Sequence, residues 1–117
     1  MTDRELLELA AKAAGLQVVW HEPDDDSEPW CFIPDCHPPH NRRQRDKESG
    51  VIWNPLTDDG DALRLAVTCG LVVDCSRPSA GEPYKQHTIW LDETMSNAEL
   101  TRRAIVRAAA EIGRSKG

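Results

Sequence analysis

Apolar positions fall into three helical stripes and four or five short strand-like runs. Over residues 2–15, Leu6, Leu9, Ala10 and Ala13, together with Leu7, Ala11 and Ala14, recur at helical spacing. Thr2, with Glu5 three residues on, has the pattern of a capping box, in which each side chain satisfies a backbone N–H at the other's position. Gly15 is the expected stop, since glycine tolerates the left-handed conformation that ends many helices. The device recurs near the end of the chain. Ser96 and Glu99 form a second box, Leu100, Ala104, Ala108 and Ile112 run along one face, and Gly113 is the expected stop. A middle helix spans about 58–69, with Ala62, Leu63, Ala66, Val67 and Cys69 expected to point inward in part and Gly70 after it.

Between the helices lie runs with strand content. LQVVW (16–20) follows Gly15 and LVVDC (71–75) follows Gly70, giving two helix–glycine–strand units with little residue identity between them. Val51–Trp53 and HTIWL (87–91) are further strands, and WCFI (30–33) is a short fifth candidate. SRPSAGEPYKQ (76–86) reads as a loose hairpin loop. Hairpin strands grouped between helices predict an α+β fold, a small and mainly antiparallel sheet with helices packed on it in the order α-β-β-α-β-β-α.

The chain has 117 residues, enough for one domain with its own core and too few for two. Within it, residues 21–50 break the pattern: five prolines and a sharp segregation of charge. Residues 21–30 carry five acids and no Lys or Arg, and Arg42, Arg43, Arg45 and Lys47 follow with one acid among them. Segments of this length without regular structure are often functional or disordered. Here the binding candidates are Asp24, Asp25 and Asp26, Arg42 and Arg43, and Trp30, because a tryptophan beside charged loops is a common interaction anchor.

The net charge of −6 argues against non-specific nucleic-acid binding through the global field. No apolar run approaches the roughly 18 residues of a membrane span. The start MTDRELLELAAKAAG lacks the basic head and continuous apolar centre of a secretion signal, so a cytoplasmic protein with reduced cysteines is expected.

TDRELLELAAKAAGL, WNPLTDDGDALRLAV and TRRAIVRAAAEIG together resemble the phage α-β-α sandwich domain family of small tailed-phage and prophage proteins, with NinX-like accessory proteins as looser relatives. The resemblance covers the two ends and the middle of the chain and leaves 21–50 outside it. It implies a phage-encoded accessory protein acting in the bacterial cytoplasm against a host system. The leading expectation beside it is a non-enzymatic protein that works by protein–protein interaction through the 21–50 segment.

Three patterns carry candidate chemistry. Asp58, Asp59 and Asp61 around Gly60 suggest a calcium loop, but position 12 counted from Asp58 is Cys69, where an EF-hand needs a bidentate Glu. Helix capping by Thr57 or Asp58, with Asp59 and Asp61 complementing the helix dipole, explains the same residues. CFIPDCHPPH (31–40) offers Cys31, Cys36 and His40 as zinc ligands, with His21, Cys69, Cys75 or His87 as the fourth. The spacing is unusual for zinc, and an ordinary loop is the stronger reading. A thiol nucleophile at Cys36 beside His37, or at Cys75 near His87, lacks a recognisable orienting carboxylate. The arginines of the last helix, Arg102, Arg103, Arg107 and Arg114, form a solvated face or a phosphate-binding one. A nucleotide binder, with walls built from Trp53, Arg42 or Arg103, is the alternative to protein binding.

Overall fold

The computed structural model describes residues 2–21, 30–34, 50–85, 88–89 and 92–116. They form three helices, α1 (Asp3–Ala14), α2 (Asp59–Cys69) and α3 (Asn97–Ser115), and six short strands. β1 (Val19–His21), β2 (Trp30–Pro34) and β3 (Gly50–Ile52) make one antiparallel sheet in the order β1-β2-β3. β4 (Val72–Asp74), β5 (Ser79–Gly81) and β6 (Thr88–Ile89) make a second, in the order β4-β5-β6. The α+β class is the expected one; its sheet is divided into two three-stranded halves.

The local signals at the helix ends operate as physical chemistry requires. Thr2 Oγ1 accepts the Glu5 N–H at 3.2 Å, and both halves of the Ser96–Glu99 box form. Gly15 and Gly70 take φ values of 73° and 66°, where a side chain would be strained. The residue after each glycine turns back on its helix: Leu16 N–H donates to Ala11 O and Leu71 N–H to Ala66 O, both at 2.9 Å. The two helix–glycine units thus end by the same cap and deliver the chain to β1 and β4.

Gly113 has a different role from the expected stop. α3 runs past it to Ser115. A Cβ at Gly113 would overlap the carbonyl oxygen of Leu9 and lie 2.8 Å from the Leu9 carbonyl carbon. The glycine therefore lets the backbones of α1 and α3 touch. Ala10, Ala11 and Ala13 of α1, with Ala104, Ala108, Ala109 and Ala110 of α3, are all buried and keep this approach close. Asp3 pairs with Arg103, Leu9 meets Gly113, and Lys116 donates to Ala13 O, so the two helices run parallel. α2 shares the direction: Asp59 at its head pairs with Arg102, and Cys69 at its foot senses Lys116.

The second correction is β5. Ser79–Gly81 falls inside the expected loop, yet it is the central strand of its sheet, with Val73 opposite Ala80 on one side and Ser79 opposite Ile89 on the other. Its small residues are there because α3 crosses directly over them; Ala80 is fully buried. Larger core residues, Leu6, Leu7, Leu65, Ile105 and Val106, each contribute roughly 1.5–3 kcal/mol by burial. Trp53 joins them as expected, and Trp20 and Ile33 pack at the margin.

Candidate functional site

The acidic stretch after Trp53 resolves into three separate roles. Asp58 is the N-cap, its Oδ2 accepting the Asp61 N–H at 2.8 Å. Asp59 is solvent-facing and reaches Arg102 across the helix pair at 2.6 Å. Asp61 is buried and holds the loop before α2: its Oδ2 accepts the Asn54 N–H at 2.9 Å and its Oδ1 the Arg64 guanidinium at 2.7 Å. Burial pushes the Asp61 carboxyl above the usual carboxylate range, opposed by the Asn54 N–H and by Arg64. Capping accounts for Asp58 and Asp59, whereas Asp61 is a buried pin that the dipole argument alone would have left at the surface.

Cys31, on the central strand of its sheet, is the one member of the zinc trio among the described residues. It is buried, and its thiol donates to Trp53 O at 3.1 Å. Burial first, and Asp61 second, raise it to about 12. The protonated thiol is therefore the favoured form there. Cys36, His37, His40 and His87 lie outside the described residues, as do Asp24, Asp25, Asp26, Arg42, Arg43, Arg45, Lys47 and Trp90. Trp30 is described through its backbone, where it pairs with His21 at the start of β2. Among the described residues no group of three His, Cys, Asp or Glu side chains could hold a metal ion.

At the shared head of α1 and α3 a cleft of about 470 Å³ opens. Arg4 lies over the Trp20 ring, 4.6 Å from its centroid. Arg102 Nε donates to Leu56 O at 2.9 Å, and Arg103 grips Asp3 with both terminal nitrogens at 3.0 and 3.2 Å. The Trp20 Nε1 is the one buried side-chain N or O among the described residues without a partner. An orphan donor of this kind costs about 1–3 kcal/mol. Of the four arginines expected to form a basic face on α3, Arg102 and Arg103 are thus drawn into interhelical ion pairs. Arg107 and Arg114 share Glu111 on the same helix.

The feature that sequence reasoning missed is on α2. Of the residues expected to point inward in part, Ala62 and Ala66 are buried, whereas Leu63 and Val67 are 64% and 73% exposed and Leu65 is buried instead. They lie one turn apart on the outer side of the helix, and Val72 of β4 is also exposed. Beside them a groove of about 460 Å³ runs between α2, the head of α3 and β4, floored by Ala62, Ala66, Val73 and Ile105. β4 is an edge of its sheet among the described strands. The signal was present in the sequence: α2 has apolar residues on two faces, where a surface helix needs only one.

This arrangement is a small α+β fold with an exposed apolar face on α2 and a cleft at the heads of α1 and α3. No protein-family model, no curated protein and no solved structure matches the chain. No helix among the described residues is long and apolar enough to cross a membrane.

Proposed function

We propose that the protein is a non-enzymatic interaction module that captures a basic protein partner through the α2–β4 face. The observation that carries this reading is the exposure of Leu63 and Val67 beside an apolar groove. Contiguous exposed apolar surface next to a concavity is the usual mark of a protein-binding site. Apolar side chains of the partner enter the groove, in the manner of anchor residues. Charge selects the partner's sign. The chain carries −6, and Asp59 and Asp74 are exposed on the groove lining and on the edge strand. The acidic run Asp24, Asp25 and Asp26 contributes to the same net charge, and the resemblance to phage accessory proteins directs the search to the bacterial host.

The test is affinity capture from bacterial lysate, comparing the wild-type chain with a Leu63→Glu, Val67→Glu variant of unchanged helicity. Basic proteins retained by the wild type and lost from the variant support the reading, and their capture weakens with salt. Equal capture by both chains removes the α2 face from the account. Self-association lost in the same variant would replace the host partner by a second copy.

A further inference from the structure

We propose that the cleft at the heads of α1 and α3 binds a nucleoside monophosphate, a ligand with one flat ring and one phosphate. Its volume of about 470 Å³ lies within the roughly 300–1,000 Å³ of small-molecule pockets. Arg4, Arg102 and Arg103 line it with Asp3 and Glu99, and each arginine is ion-paired, to Glu8, Asp59 and Asp3 in turn, so the cleft offers a phosphate fixed hydrogen-bond donors rather than an excess of positive charge. The acids are engaged: Asp3 with Arg103, and Glu99 with Ser96 in the capping box. The parallel heads of α1 and α3 add their dipoles with the same sign.

Arg102 is the phosphate group's partner. Leu56 O holds its Nε and Asp59 its Nη1, which fixes the guanidinium plane at 16% exposure. Its Nη2 has no acceptor among the described residues, and a fixed guanidinium edge matches phosphate oxygens. The ring's place is the flat wall formed by Arg4 stacked on Trp20, with Leu7 and Leu56 beside it. Trp20 Nε1 is buried without an acceptor, so it reports on that wall without itself meeting the ligand. The two carboxylates oppose higher charge, so a monophosphate is preferred to a triphosphate.

The experiment is a titration of the full-length 15N-labelled chain with adenosine monophosphate, adenosine, inorganic phosphate and adenosine triphosphate. The Trp20 indole resonance is assigned through Trp20→Phe. Saturable shifts of that resonance and of the 102–103 amides with the monophosphate, and binding at least about tenfold weaker for the other three, are expected. Arg102→Gln weakens the monophosphate by about tenfold or more. If that variant loses amide dispersion, Arg4→Ala serves instead, weakening the monophosphate while leaving phosphate alone unchanged. Leu63→Glu with Val67→Glu leaves the titration unaltered, so this site and the protein-binding face fail or stand separately. No shift at the cleft, shifts scattered over the surface, or equal binding of phosphate and monophosphate would overturn the proposal.

Discussion

The backbone of Gly113 rests on the carbonyl of Leu9, in a space that a single added methyl group would fill. In an exposed helix, Gly113→Ala would gain about 1 kcal/mol from helix propensity. Here the overlap dominates, and a net loss of about 1–3 kcal/mol is expected in urea unfolding. A more stable variant would show that α1 and α3 do not pack as described.

Asp61 makes stability depend on pH in an unusual sense for a carboxylate. Its folded pKa is raised above the ordinary 3.8, so the native state holds the proton more tightly than the unfolded chain. The stability it contributes is fullest below 3.8 and falls as pH rises through the folded value. Asp74 and Asp92 act oppositely. Hydrogen bonds from Ser76 and Thr94 lower them, so their contribution is present above 3.8 and lost as pH falls through the folded values. Asp61→Asn should remove the decline above 3.8 and leave the acid limb intact in unfolding curves measured across that range. An unchanged decline in the variant would assign it to another group.

The thiols should separate by reactivity. Cys75 is exposed, whereas Cys31 is buried with its pKa near 12. Because that value is raised from 9.0, the contribution of Cys31 to stability is intact below pH 9 and lost as pH rises toward 12. Alkylation of the native protein near neutral pH, read by peptide mass, is expected to label Cys75 quickly and Cys31 only after denaturation. Early labelling at Cys31 would contradict its burial against Trp53.

Neighbouring leucines on α2 give an internal contrast. Leu65→Ala should cost about 2–5 kcal/mol, because it empties a core position. Leu63→Ser should change stability by no more than about 0.5 kcal/mol, as an exposed position does. Similar losses at both sites would mean that Leu63 belongs to the core and leave the proposed recognition face without its main residue.

The caps were legible in the sequence because their chemistry is local. Ser96 and Glu99 need only each other, and Gly15 and Gly70 need only a left-handed φ. Gly113 was misread because a glycine required for close approach looks the same as a glycine required for a turn, and its partner Leu9 lies about a hundred residues away. β5 was hidden for the same reason. Its Ser-Ala-Gly composition lacks strand character and makes sense only beneath α3. Asp61 already had a sufficient local explanation in the helix dipole, so nothing signalled its bond to Asn54. Leu63 and Val67 fitted a helical stripe, and only the position of Leu65 decides which stripe faces the core.

Photo-crosslinking in bacterial cells that express the protein tests the proposed recognition face most directly. A photoreactive residue placed in turn at Leu63, Val67 and the fully exposed Tyr84 samples the face and a control site in the same protein. The account predicts a discrete adduct with a basic protein from Leu63 and Val67 and none from Tyr84. Adducts of equal yield at all three positions, or none at Leu63 and Val67, would contradict it.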